Sequence, residues 1–303
     1  MRNALRVTVW LRALRAPFFV GTLTPAAFGA AYAHFAGYPF NWGLFWLTMI
    51  GTALANAGCN LANDYFDYRS GDDQLTRATP FSGGSKVIQE GLLSPRQVRN
   101  ASITSLVLCA GIGLYLNAVT GGLVILAIGT VGVIIAWFYT APPLRFGSRS
   151  GLGEVVCVLG CGPVIAFGAY FVQARTLSFP ALIASLPIGL LMGLVLFINE
   201  FQDVEADGAV GKHTLVVAMG TRAASRLLSI TLLVTYVLIG ALVFTGVLAP
   251  ASLFALLTVP AALFAAIRAH RFHADRPRLL PANAAIILTH LATGVIMTLA
   301  AGL

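Results

Sequence analysis

The chain has 303 residues, 58% of them hydrophobic and 10% charged, with a mean hydropathy of +0.84. A soluble domain carries about 25% charged residues, so this composition excludes an ordinary soluble fold and places the chain in a membrane. The net charge of +8 would suggest nucleic acid for a soluble protein. Here the basic residues flank apolar runs, as orientation beside anionic headgroups requires, and nucleic acid is not an expected partner.

A helix needs about 20 apolar residues to cross the hydrocarbon. In chain order, such runs are expected at 16–36, 43–66, 99–118, 121–140, 153–173, 181–201, 227–247, 250–268 and 283–302. They predict an all-α bundle of nine transmembrane helices forming one membrane domain, 1–303, since no polar block is long enough to fold separately. Arg2, Arg6, Arg12 and Arg15 precede the first run without a small-residue cleavage site, so this segment is read as retained. With the N-terminus inside, eighteen of the nineteen Lys and Arg residues fall on the inner side, Arg175 alone outside, and all 11 acids follow the inner division. The polar chemistry is therefore expected at the cytoplasmic face of a prokaryotic inner membrane. Cys59, Cys109, Cys157 and Cys161 show no metal or disulfide spacing and read as small hydrophobes.

The second run ends in Asn60-Leu-Ala-Asn-Asp64-Tyr-Phe-Asp67, followed by Asp72 and Asp73. Asn60, Asp64 and Asp67 at i, i+4 and i+7 share one helix face. A carboxylate near hydrocarbon costs at least a few kcal/mol unless paired, which makes such acids candidates for function. The sixth run ends the same way, in Asn199, Asp203 and Asp207, with Asn199 and Asp203 offset from Asn60 and Asp64 by 139 positions. Two facing acid-tipped helices demand cations between them, and carboxylate and amide oxygens suit a hard ion such as Mg²⁺. Lys86 in Ser-Gly-Gly-Ser-Lys, Arg145 in Tyr-Thr-Ala-Pro-Pro-Leu-Arg and Lys212 in Val-Gly-Lys-His-Thr are candidate bases on the same side. Acids, a metal and cationic side chains at one membrane face describe a diphosphate site. Asp72 and Asp73 read as solvated loop acids.

These tracts resemble the UbiA superfamily of intramembrane prenyltransferases: Asn63-Asp64-x-x-Asp67, Asp203-x-x-x-Asp207, Tyr139-Thr-Ala-Pro-Pro-Leu-Arg145 and Gly211-Lys212-x-Thr-Leu. The resemblance covers nearly the whole chain. Asn60-Leu-Ala-Asn-Asp-Tyr-Phe-Asp-Tyr with Ser82-Gly-Gly-Ser-Lys-Val-Ile-Gln-Glu-Gly is most similar to the 1,4-dihydroxy-2-naphthoate polyprenyltransferases of menaquinone biosynthesis. One departure is Gly71, where many relatives carry a third Asp, with Asp72 beside it.

The resemblance implies a UbiA-type fold in which Asp64, Asp67, Asp203 and Asp207 hold two Mg²⁺ ions on a polyprenyl diphosphate, with Asn60 and Asn199 adding neutral oxygens. It implies that Lys86, Arg145 and Lys212 neutralise the leaving diphosphate, that the Tyr139 ring stabilises the allylic cation, and that an aromatic acceptor attacks it with loss of CO₂. Glu154 either positions the acceptor hydroxyl or is a salt-bridged or solvated helix-end charge. Membrane lipid is an expected partner and no obligate protein partner is inferred. Other acceptors, namely 4-hydroxybenzoate, homogentisate, a tetrapyrrole or a glycerol phosphate lipid, remain open within the same fold. An ion-coupled transporter is disfavoured, because transporters place coupling sites near the bilayer midplane.

Overall fold

A computed structural model describes residues 2–76, 79 and 81–302. Arg77 and the side chains of Arg2 and Arg6, three of the charges used to orient the chain, lie outside the described residues. Among the described residues the regular structure is entirely helical. We number the helices α1 (Arg2–Ala13), α2 (Val20–Phe35), α3 (Trp42–Ser70), α4 (Pro95–Thr120) and α5 (Val124–Phe138). They continue with α6 (Leu152–Ala174), α7 (Phe179–Ala209), α8 (Thr221–Phe244), α9 (Pro250–Phe272) and α10 (Arg276–Gly302).

Each helix has a local reason to start or stop. Asn41 caps α3 by accepting from Leu44 N, and Ser94 caps α4 in a reciprocal box with Gln97. Gly71, at φ 85°, ends α3 in the left-handed conformation that glycine adopts without steric cost. α6 carries a π-helical turn over Gly160–Val164 that contains Pro163, a residue without the amide hydrogen a regular turn would use.

Seven helices, α3, α4 and α6 to α10, are long and apolar enough to cross a bilayer, and the chain is an integral multi-pass membrane protein. α2 and α5, with 16 and 15 residues, occupy the runs expected at 16–36 and 121–140 but are shorter than those runs. Larger differences lie at helix ends: α8 and α10 begin at 221 and 276, ahead of the expected 227 and 283, and two acidic ends run on. α3 and α7 run on through the acidic tracts to Ser70 and Ala209, whereas the apolar pattern stops near 66 and 201. At 1.5 Å per residue the 29-residue α3 is about 44 Å long against about 30 Å of hydrocarbon, so its acids extend beyond the apolar layer.

Packing centres on α10, which lies against α2, α7 and α9, while α3 packs on α4 and α2 on α6. One buried cluster joins Leu191, Ile198 and Phe201 of α7 to Leu228 of α8 and Leu279 and Ile286 of α10. A second joins Phe28 and Tyr32 of α2 to Tyr170 of α6, Ile239 of α8 and Met297 of α10. Large apolar side chains also face outward, among them Leu233, Phe244 and Leu257, as expected where the solvent is lipid.

Glycines set the closest crossing. A Cβ at Gly29 would lie 1.9 Å from the backbone oxygen of Ala166, so α2 and α6 would have to part. Gly29→Ala is expected to destabilise the detergent-solubilised protein by about 1–3 kcal/mol in thermal unfolding, the range of overpacking. Gly111→Ala, where no atom lies within 4 Å of the new Cβ, should leave the melting temperature unchanged.

Candidate active site

The site begins at the C-terminal end of α3. Asn60 donates its amide nitrogen to the Leu14 backbone oxygen at 3.0 Å and to Asn56 Oδ1 at 2.7 Å, which leaves its own oxygen free. Asp64, one turn on and 2% exposed, is held by the Arg15 guanidinium and the Ser85 hydroxyl, with Ser85 N donating to it at 3.2 Å. The same Arg15 nitrogen reaches Asn63 Oδ1 at 2.9 Å. Burial lowers the Arg15 pKa and Asp64 more than offsets this, so the guanidinium stays charged.

Asp72 and Asp73 correct the sequence reading. Both are buried, because Gly71 turns the chain into the short helix Asp72–Leu75 and the segment that follows folds back over it. Asp72 Oδ2 accepts from Lys212 Nζ at 3.1 Å. Asp73 lies 3.4 Å from Lys86 Nζ and accepts from Gln89 Nε2 at 2.7 Å. Burial pushes the Asp73 carboxyl above its ordinary range, partly offset by Lys86. Gly84 permits this approach: at φ 75° its backbone suits glycine, and a Cβ would lie 2.5 Å from Asp73 Oδ1.

The second half comes from α7 and the loop after it. Lys212 Nζ lies 3.3 Å from Asp207 Oδ1 while bonded to Asp72, so one ammonium ties the two acidic tracts together. Burial alone would lower the Lys212 pKa, but Asp67, Asp207 and Asp72 outweigh it and the net shift is upward. Asp67, Asp203 and Asp207 line one cavity of about 140 Å³ with Asp72, Asp73, Glu200 and Lys212. A larger cavity of about 660 Å³ has mostly apolar walls, and all four cysteines, free thiols, face it. Arg15, Asn63, Tyr139 and Asn199 line both spaces and so stand where the two meet.

Not every expected residue converges there: Asp64 lines neither cavity, and both its oxygens are taken by Arg15 and Ser85. Asn60 lines the larger cavity only. Lys86 sits behind Asp73, donating to the Asp73 backbone oxygen and, at 2.8 Å, to Thr76 Oγ1. Arg145 lines neither cavity, and its side chain makes no hydrogen bond or ion pair among the described residues. Glu154 lines neither cavity and accepts from Leu215 N at 2.7 Å, while Glu200 accepts from Val216 N at 3.5 Å. The two glutamates thus satisfy the free amides at the start of the short helix Leu215–Met219. Arg15, Lys86 and Arg145 have φ of 52°, 60° and 43°. A left-handed backbone costs a residue with a Cβ about 1–2 kcal/mol, and such strain concentrates at functional sites.

The donor set fits a hard divalent cation. Asp72 Oδ1 is buried without a hydrogen-bond donor, Asp207 Oδ1 has the Lys212 ammonium at 3.3 Å, and the carboxylates outnumber Arg15, Lys86 and Lys212. Among the described residues no three His, Cys, Asp or Glu side chains are already gathered as a metal cluster. Mg²⁺ is commonly held by one or two carboxylates and completed by substrate phosphate and water.

Sequence reasoning missed Arg15, Asn63, Asp72, Asp73 and Glu200 as cavity residues. Arg15 passed for an orientation charge, while Glu200 stands between Asn199 and Asp203 but off their shared face, so neither carried a periodic signal.

Comparison with known proteins agrees with this geometry. The 1,4-dihydroxy-2-naphthoate octaprenyltransferase of Escherichia coli is 31% identical over 71% of this chain and 70% of its own. The enzyme of the same name from Mycobacterium tuberculosis is 31% identical over 70% of each chain. A UbiA homolog from Archaeoglobus fulgidus, solved with GPP and Mg²⁺, shares the fold at a TM-score of 0.66 and 18% identity, covering 95% of this chain and 99% of its own. The UbiA prenyltransferase family profile matches residues 22–292, and the chain belongs to that family of prenyltransferases.

Proposed function

We propose that the protein transfers a polyprenyl group from a polyprenyl diphosphate to 1,4-dihydroxy-2-naphthoate, with loss of CO₂, in a Mg²⁺-dependent reaction that yields a demethylmenaquinone. The observation that carries this reading is the pair of joined cavities: an acid-lined space sized for a diphosphate opens into an apolar one able to take an isoprenoid tail. The family membership and the names of the relatives support the acceptor.

In this reading Asp64, Asp67, Asp203 and Asp207 hold two Mg²⁺ ions, with Asn60 offering its free oxygen. Bound Mg²⁺ supplies charge neutralisation at the diphosphate oxygens. Lys212 takes up the charge that develops as the C–O bond breaks, Lys86 acts through Asp73, which it holds in the cavity wall, and Arg145 reaches the diphosphate only if its loop moves. Arg15 exchanges Asp64 for a diphosphate oxygen as substrate arrives. The Tyr139 ring, at the junction, lies against the allylic carbon and is worth about 0.5–2 kcal/mol to a cation there. Tyr139→Phe, which keeps the ring, should therefore cost less than about tenfold in kcat; a near-inactive variant would assign the role to the hydroxyl.

We also read α2 and α5 as membrane-crossing, which gives nine spans in one domain with the N-terminus and both acidic helix ends cytoplasmic, in a prokaryotic inner membrane. The division of basic residues supports this orientation. Cysteine labelling from either side of inverted vesicles tests it.

The deciding experiment incubates membranes carrying the protein with one labelled polyprenyl diphosphate and a panel of acceptors, with Mg²⁺ or EDTA. The expected product forms with dihydroxynaphthoate, releases CO₂ and disappears in EDTA. Product from 4-hydroxybenzoate or homogentisate alone would sink the acceptor assignment, and uptake into proteoliposomes without prenyl product would sink the enzyme reading.

A further inference from the structure

The duplicated Asn–Asp tracts look equivalent in sequence, but their asparagines are held in opposite senses. Asn283 of α10 is fully buried and donates Nδ2 to the Ile198 backbone oxygen at 3.3 Å and to Asn199 Oδ1 at 2.8 Å. Its own oxygen accepts from Gln202 Nε2 at 3.2 Å, and Gln202 Nε2 also donates to the Arg276 backbone oxygen at 3.4 Å. A backbone carbonyl only accepts, so each of these amides must turn its nitrogen toward one. The sense of the relay is therefore set at both ends by the main chain. The Asn199 atom facing Asn283 must be its oxygen, and the Asn199 NH₂ group is left for the cavities that its side chain lines. Asn60 is the reverse case, since the Leu14 carbonyl holds its nitrogen and leaves its oxygen free.

We propose that Asn283 is a positioning residue that fixes Asn199 as a hydrogen-bond donor to the diphosphate of the prenyl donor, so that Asn60 offers a metal an oxygen and Asn199 offers the leaving group an N–H. This deepens, and rests on, the diphosphate reading above. The asymmetry has a chemical sense. Diphosphate oxygens lack protons and need donors, and a donor already oriented need not reorganise as charge builds on the leaving group.

The test uses the full chain in lipid nanodiscs and two calorimetric titrations, Mg²⁺ alone and inorganic pyrophosphate in excess Mg²⁺. Asn199→Asp removes the donor and adds an oxygen. It is expected to weaken pyrophosphate binding by about tenfold to a hundredfold, the span for a hydrogen bond to a charged group, while Mg²⁺ alone binds as well as before or better. Asn283→Leu, which touches neither cavity, should weaken pyrophosphate several-fold and leave Mg²⁺ unchanged. Combined with Asn199→Asp it should add nothing, because it acts through that side chain. If Asn283→Leu does not assemble, Gln202→Leu removes the preceding link and should show the same pattern to a smaller degree. Asn199→Asp that keeps pyrophosphate affinity and tightens Mg²⁺ would make Asn199 a metal ligand and overturn the proposal with the prenyltransferase reading intact. Additive losses in the double variant would also overturn it. A wild-type protein that binds no pyrophosphate in Mg²⁺ would overturn the diphosphate reading itself.

Discussion

Asp203→Asn is expected to lower prenyl transfer by about 10²- to 10³-fold at saturating Mg²⁺, the scale of removing one group that stabilises transition-state charge. The substitution is nearly isosteric, and Asp203 accepts no hydrogen bond from any described residue, so the loss would not come from misfolding. Its removal relieves crowding with Asp207 and Asp72, so the melting temperature without Mg²⁺ should hold or rise. Glu205→Gln provides the contrast. Glu205 lies two residues on, but its side chain is 83% exposed and pairs with Arg276, so the variant should keep wild-type activity. Full, metal-dependent transfer by Asp203→Asn in reconstituted membranes would remove Asp203 from the metal site.

Lys212→Met carries the second large effect, and it is expected in the resting protein as well as in turnover. The ammonium bridges Asp72 and Asp207, and its loss leaves buried carboxylates facing one another. Breaking a buried charge pair from one side costs about 3–5 kcal/mol. The variant should therefore melt well below wild type in EDTA. Mg²⁺ should restore much of the difference, since a cation that binds only the folded state stabilises it by mass action. The kcat/KM for the prenyl donor should drop by about 10²-fold, mostly through kcat, since in the proposed reading the ammonium meets charge that develops as the C–O bond breaks. Melting curves that match wild type in both EDTA and Mg²⁺ would remove Lys212 from the shared site.

The helices, the membrane and the family were legible because each leaves a periodic or ordered trace. Apolar runs locate the helices, though not all their ends, and the 139-residue offset of Asn60 and Asp64 from Asn199 and Asp203 marks two related helix ends. The C-terminal ends of α3 and α7 were misjudged because hydropathy reports where lipid stops, not where the hydrogen-bonded turn stops. The rest of the site depends on contacts between residues distant in sequence. Asp72 and Asp73 read as solvated because Lys86 and Gln89 fold back onto Asp73 from the segment beyond while Lys212 reaches Asp72 from after α7, which no local pattern encodes. Arg15 carries no motif, and only the left-handed turn before α2 aims it at Asp64. Glu154 was placed at the correct helix end, but its partner there is the amide of Leu215, whose approach is a matter of tertiary packing.

Arg145 shows how such a site constrains improvement of the protein. Its backbone stands at φ 43°, where glycine would sit without strain, and its side chain gives the resting fold no hydrogen bond or ion pair among the described residues. By the physics of the empty enzyme, glycine is the better residue at that position. Selection for heat tolerance or expression alone would therefore drift toward Arg145→Gly and discard the charge proposed above to act on the diphosphate. Stability and turnover pull this one position in opposite directions, so any campaign to harden the enzyme has to screen for both.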